Sequence, residues 1–154
     1  MNPVVTISGG GIIGNYISLR LDKSNIKSVI IEKSKRQNSQ KENIRTLTLN
    51  RFSKKLLDDI GIKVPFAAIK NIYVFDGDGS GKIEFSSTEI DEDDLSYVVF
   101  FNDLYDQLQN QDRHQIFFDN EIEKIVIDKE TNTSEITLSS KDKINTRFIA
   151  GCDG

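Results

Sequence analysis

The stretch Val4-Val5-Thr6-Ile7-Ser8-Gly9-Gly10-Gly11-Ile12-Ile13-Gly14 decides how the chain is read. Its first half is a short apolar run rich in the β-branched residues that strands favour. Its second half contains the pattern G-x-G-x-x-G on Gly9, Gly11 and Gly14. From Ile12 to Leu21 the apolar positions Ile13, Tyr16, Ile17, Leu19 and Leu21 predict a largely buried helix, which Asn25 ends. Ser28 to Ile31 is a second apolar strand, closed by Glu32. Two apolar strands joined by a helix over about 30 residues predict a parallel βαβ unit covered on both faces.

A lone glycine pattern is weak evidence, but here a strand precedes it, a helix opens inside it, and an acid follows at the right distance. Gly9 permits the tight turn out of the strand, and Gly11 lets a pyrophosphate approach the backbone. Gly14 allows the helix to sit close to the sheet, and the helix N-terminus offers N–H groups and partial positive charge to phosphates. Glu32 lies 18 residues past Gly14, where a carboxylate accepts from ribose hydroxyls. The pattern therefore predicts an ADP-containing dinucleotide, with an unphosphorylated ribose (FAD or NAD in preference to NADP). The plainer alternative is a glycine turn that only packs helix against strand.

Working outward, Lys33 to Asn43 is a polar, solvated loop, and Thr46 to Leu49 alternates as a strand does. Asn50 is placed to cap a helix whose Phe52, Leu56, Leu57 and Ile60 share one face, with Gly61 stopping it. Ile69–Phe75, Lys82–Ser86 and Tyr97–Phe101 read as strands, followed by a helix from Asn102 to about Gln111. Four strands are expected in the last third, at Gln115–Phe118, Glu121–Asp128, Glu135–Ser139 and Thr146–Ala150. The fold class is thus α/β: a Rossmann-like βαβ unit, a β-rich middle and a terminal β-meander.

The 154 residues make one domain with a real core, and 20 basic against 24 acidic residues give a net charge of −4. That mild acidity, without a basic block, argues against nucleic acid as a partner. The single cysteine, Cys152, excludes an internal disulfide framework. No apolar stretch approaches the length of a membrane span, and Met1-Asn2-Pro3 leads straight into the first strand without a secretory leader, which predicts a cytoplasmic protein.

Four segments together resemble the FAD-dependent aromatic-ring hydroxylases, and most closely the ubiquinone-biosynthesis monooxygenases. They are Ile7–Gly14; Ile44-Arg45-Thr46-Leu47-Thr48-Leu49 with the Ser53, Leu57 and Gly61 spacing; Leu95–Val99 leading into Asn102-Asp103-Leu104 and Leu108; and Ala150-Gly151-Cys152-Asp153-Gly154. The resemblance implies a Rossmann-like FAD domain interrupted by a β-sheet substrate domain, whose first segment would be residues 66–101. It implies FAD as cofactor, cradled by Gly9, Gly11, Ile13 and Gly14, with Glu32 on the adenosine ribose and Lys33 near the adenine. Arg45 would reach phosphate or ribityl oxygens, the alternative being a solvated or capping arginine. Asn102 stands where the family often has arginine or another polar residue beside the cofactor; it can hydrogen-bond but cannot neutralise phosphate. Asp153 would open the family's aspartate-glycine fingerprint near flavin and reductant.

The same resemblance implies NAD(P)H as reductant and hydroxylation of a small, electron-rich aromatic substrate of the quinone-precursor kind. It is compatible with peripheral association with a membrane or a biosynthetic complex. The family fold is longer than this chain, so the chain is expected to be its N-terminal portion, lacking the second Gly-Asp flavin segment and most of the substrate sheet. A truncated or vestigial dinucleotide-binding module without turnover is the alternative, as is another flavoprotein of the same fold, of the prenyl-reductase or halogenase type.

Three other features invite chemistry. Asp76-Gly77-Asp78-Gly79-Ser80-Gly81 through Ser87 imitates a calcium loop, but Ser87 replaces the closing glutamate and strands flank it, so a hairpin turn is expected. Glu89–Asp94 reads as a solvated acidic loop. His114 has no nucleophile partner at a telling spacing, and Cys152 reads as a packing residue near a strand end.

Overall fold

The computed structural model describes residues 2–36, 45–111 and 115–153. Ile44, the loop from residue 37 to Asn43, His114 and Gly154 therefore lie outside the described residues. The chain divides into two compact units, one of residues 1–41 and 105–154, the other of residues 42–104.

The first unit contains the predicted βαβ. Strand β1 (Val5–Ser8), helix α1 (Ile12–Asp22) and strand β2 (Ser28–Glu32) follow one another, with Val5 opposite Ser28 and Ile7 opposite Ile30 in parallel register. Ser18 of α1 meets Ser28 at 2.9 Å between hydroxyls, so α1 covers the face of β2 that carries Ser28 and Ile30. Val29 and Ile31 point the other way. There they form a buried cluster with Ile136, Leu138 and Ile144, which belong to an antiparallel meander.

The second unit opens with β3 (Thr46–Asn50) and α2 (Arg51–Asp59), followed by β4 (Ala67–Ile69), β5 (Asn71–Phe75) and β6 (Lys82–Ser86). A 3-10 turn (Ser87–Ile90) leads to β7 (Ser96–Phe100). Strand β7 lies between β3 and β4 in an antiparallel sheet, while β5 and β6, among the described residues, pair with each other as a two-stranded sheet. Asn50 caps α2 as expected, its side chain accepting from the Ser53 N–H at 2.7 Å, and Gly61 follows with φ +83°. Helix α3 (Phe101–Gln109) begins in this unit and ends in the first, with Leu104 and Leu108 fully buried.

The chain continues in the first unit with β8 (Ile116–Phe118), the meander β9 (Ile122–Asp128), β10 (Thr133–Leu138) and β11 (Lys143–Thr146), and finally β12 (Phe148–Gly151). Strand β12 pairs in parallel with β1 and completes a four-stranded sheet of order β12-β1-β2-β8. Because β2 and β12 flank β1 on opposite sides, strand order reverses at β1, and its carboxyl end is where open α/β sheets bind ligands. No described helix is long and apolar enough to cross a membrane.

Four expectations need correction. The segment Ile69–Phe75 is two strands, broken at Lys70, because Ile69 pairs with Ser96 while Asn71 pairs with Ser86. Thr146–Ala150 is likewise divided. The Thr146 hydroxyl and the Arg147 N–H both bond to the Val4 carbonyl, ending the meander and turning the chain into the parallel sheet. Helix α1 does not bury its isoleucine row: its buried positions are Gly14, Asn15, Ser18 and Leu19, while Ile13 is 60% exposed. Small residues on that face let the helix backbone lie close to the sheet. Phe52 of α2 is also exposed, and Leu57 is the buried residue of that helix.

Candidate dinucleotide site

At the carboxyl ends of β1, β2 and β12 lies an open cleft of about 850 Å³, contained within the first unit. Ser8, Gly9 and Gly11 form one wall, Glu32, Lys33 and Ser34 a second, and Cys152 and Asp153 a third. The turn between β8 and β9 contributes Asn120 and Glu121, and apolar Ile122 and Ile125 of β9 extend the floor.

The glycines have distinct jobs. Gly9 leaves β1 with φ +105°, and a Cβ there would run into the Cys152 carbonyl. A Cβ on Gly14 would overlap the Gly9 carbonyl oxygen, so this glycine permits the helix to close on the loop. Gly11 is different: a Cβ there would meet nothing within 4 Å, and the residue lines the cleft. It precedes α1 in extended conformation with no side-chain cap, so the first-turn amides have no side chain to satisfy them. An open approach to uncapped amides at a helix N-terminus is what a pyrophosphate needs.

Glu32 is built into the same loop. Its carboxylate accepts from the Gly10 N–H at 2.6 Å and from the Ser34 N–H at 2.7 Å. Partial burial raises its pKa, but these two backbone donors, the Ser34 hydroxyl and the nearby Lys33 charge outweigh burial and hold it below the ordinary value. The group is therefore a carboxylate at neutral pH, and it retains accepting capacity for an outside donor. The Glu32 carbonyl in turn accepts from the Asn120 N–H at 3.1 Å, and Ser34 accepts from Asp119 at 3.2 Å, which fixes the β8–β9 turn beside the acid. Asp119 takes φ +57° to make that turn.

The Asp153 carboxylate receives a long bond from the Ser8 hydroxyl, 3.4 Å. Cys152 is half-buried and its N–H donates to the Ser8 carbonyl at 2.7 Å; burial and the Asp153 charge push its thiol pKa up, away from reactivity. Among the residues singled out from sequence, the structure gathers Gly9, Gly11, Glu32, Lys33 and Asp153 around one cleft, with Gly14 packed beneath the loop. Ile13 lies outside the cleft lining. Arg45 and Asn102 belong to the second unit. There the Arg45 guanidinium stacks over the Phe101 ring at 4.5 Å from its centroid, and Asn102 is half-buried in the first turn of α3.

Sequence reasoning missed Gly10, Asn15, Asn120 and Glu121. Gly10 was legible as the middle of three consecutive glycines: a Cβ there would stand 3.0–3.1 Å from Glu32 atoms. Asn15 was legible as a polar residue inside an apolar helix. Asn120 and Glu121 come from far along the chain and carried no local signal. The calcium-loop mimic forms the tip of the β5–β6 hairpin, with the Asp76 side chain folded over Gly79. Glu92 of the acidic run pairs with Arg51. Among the described residues no three His, Cys, Asp or Glu side chains converge as a metal site requires.

Fold and cleft define a dinucleotide-binding α/β protein of the flavoprotein kind. The chain belongs to the FAD binding domain family of the flavin-dependent monooxygenases, whose match covers residues 2–154. It is 29% identical to Monooxygenase 1 of Arabidopsis thaliana over 155 aligned residues, 97% of this chain and 38% of that protein. Its fold is similar to PqsL, a probable FAD-dependent monooxygenase of Pseudomonas aeruginosa, with TM-score 0.79, 17% identity, and coverage of 100% of this chain and 43% of that one. It is also similar to p-nitrophenol 4-monooxygenase PnpA of Pseudomonas putida, with TM-score 0.74, 17% identity, and coverage of 99% and 41%. The chain spans about two-fifths of the length of these relatives.

Proposed function

We propose that the chain forms the FAD-holding part of an NAD(P)H-dependent monooxygenase that hydroxylates a small aromatic ring. The observation that carries this reading is the joined loop and acid: the Gly10 N–H on the Glu32 carboxylate beside an uncapped helix start. In it, Gly9 and Gly11 leave room for the pyrophosphate, the α1 amides donate to it, and Glu32 accepts from the adenosine ribose. Bound there, FAD supplies electron transfer and oxygen activation that no side chain of the cleft provides. Arg45 would contribute positive charge to the phosphate or ribityl end, Asn102 a neutral hydrogen bond, and Asp153 a carboxylate near the flavin. Residues 66–101 would be the first part of the substrate sheet.

For the substrate we favour an electron-rich phenolic ring of the quinone-precursor kind. Support comes from the sequence resemblance around Arg45 and residues 150–154, and from the names of the fold relatives: one acts on p-nitrophenol, and PqsL has been crystallised with 2-aminobenzoylacetate. A second reading, a dinucleotide-binding module without turnover, draws on the polar groups of the cleft, which suit ribose and phosphate alone. The test is to express the full chain with flavin supplied and record its absorbance, then add NADH or NADPH in air with a phenolic acceptor. Retention of flavin is the expected result, and oxidation of the nicotinamide with consumption of oxygen would favour the monooxygenase over the module. A yellow protein that leaves the nicotinamide untouched supports the module, and a colourless one with no affinity for FAD removes both readings.

A further inference from the structure

Asn15 sits in the first turn of α1, fully buried, and its side chain does something local sequence rules do not require. Its Nδ2 donates to the Gly10 carbonyl at 2.6 Å and to the Gly11 carbonyl at 2.9 Å. Two acceptors on one side identify that side as the amide nitrogen, because an oxygen turned there would face two carbonyls. The Oδ1 atom then points elsewhere, buried and without a partner. An orphaned buried acceptor costs stability, and leucine would fill a similar volume without it. Packing alone does not account for an asparagine at this position.

The consequence of its two bonds follows from peptide geometry. In a planar trans peptide the C=O of one residue and the N–H of the next point in opposite directions. Drawing the Gly10 carbonyl toward Asn15 turns the Gly11 N–H away from it. The Gly11 carbonyl also accepts the Asn15 backbone N–H at 3.0 Å, the first bond of the helix ladder, so it is the Gly10 carbonyl whose direction depends on the side chain. Gly11 lines the cleft, with open space where a side chain would stand. The same bonds hold two carbonyl oxygens away from the place where a phosphate would be repelled by them.

We propose that Asn15 is a positioning residue for phosphate recognition: its side-chain amide clamps the Gly10 carbonyl, so that the Gly11 N–H is presented to the cleft before any ligand arrives. The proposal rests on the reading of the cleft as a dinucleotide site. It adds a donor-orienting side chain to the glycines, at the position directly after the third glycine of the pattern.

The experiment is an NMR titration of the full chain with ADP and, separately, with adenosine, following backbone amides. The wild-type chain is expected to prefer ADP, with the Gly11 and Ile12 amides shifting on ADP addition and not on adenosine addition. Asn15→Leu is expected to weaken ADP about tenfold while leaving adenosine affinity as it was. Asn15→Thr, whose hydroxyl reaches the carbonyl four residues back, retains the Gly11 contact but loses the Gly10 bond, and should weaken ADP as Asn15→Leu does. If Asn15→Leu fails to fold, Asn15→Thr carries the comparison. Undiminished ADP preference in either folded variant overturns the proposal. So does an equal loss for ADP and adenosine, which would mark a merely structural role. A wild-type chain that binds neither ligand defeats the dinucleotide reading itself, and the proposal with it.

Discussion

Glu32 shows how a single side chain can hold its loop and still line an open cleft. Its carboxylate is held by two backbone donors, and its pKa is below the ordinary carboxylate value. A depressed folded-state pKa contributes stability that is fully present above the unfolded value and is lost as pH falls through the folded one. Chemical denaturation of the wild-type chain from neutral pH down to about pH 3.5 should therefore show an acid-side loss that Glu32→Gln lacks in part. An identical acid slope in the two proteins would remove the carboxylate from the loop's support. Glu32→Ala should also weaken FAD or ADP about tenfold, read by titration, because a ribose hydroxyl loses a charged acceptor. Unchanged affinity would take the ribose away from this residue. Glu32 was legible from spacing alone, whereas its bond to Gly10 was not, because that bond joins residues 22 positions apart.

Element by element, what the structure asks of α1 differs at its two ends of the glycine loop. Gly11→Ala adds a methyl group where nothing stands within 4 Å, so the fold should persist while FAD affinity drops. Gly14→Ala puts a methyl group into the Gly9 carbonyl, and overpacking of this kind costs about 1–3 kcal/mol. Unfolding curves and flavin titrations of the two variants separate these outcomes; two variants alike in both measurements would contradict the division of labour. In the second unit, Asn50→Ala removes the α2 cap and should cost about 1 kcal/mol by chemical denaturation. The cap and its helix were readable because both signals are local. The face of α1 was not: its isoleucines suggested an apolar contact, yet Gly14 and Ser18 let the helix approach β2, and Ile13 faces outward. The breaks at Lys70 and Arg147 were also hidden, since each is made by a change of strand partner and not by a turn residue.

For the molecule as a whole, the conspicuous surface is the β5–β6 hairpin. Ile72 lies opposite Phe85 and Val74 opposite Ile83, so these four share one face, and all are 40–57% exposed. The other face carries Tyr73 with Lys82 over its ring. A four-residue apolar face of this kind favours association, so Val74→Thr with Ile83→Thr should raise the solubility limit of the chain while unfolding free energy stays within about 0.5 kcal/mol. A fall in stability instead would mean that the face is packed in solution. The sequence by itself determined the βαβ start, the tight turn at Gly9 and close packing at Gly14, the acid at the end of β2 and the capped α2, because each depends on residues close along the chain. Only the tertiary structure decided that β12 pairs with β1, that the β8–β9 turn is tied to Glu32, and that Asn15 clamps the loop carbonyls. Strand partners and buried amide contacts are chosen by distant backbone groups that must find hydrogen bonds once water is excluded, and no short window of sequence carries that choice.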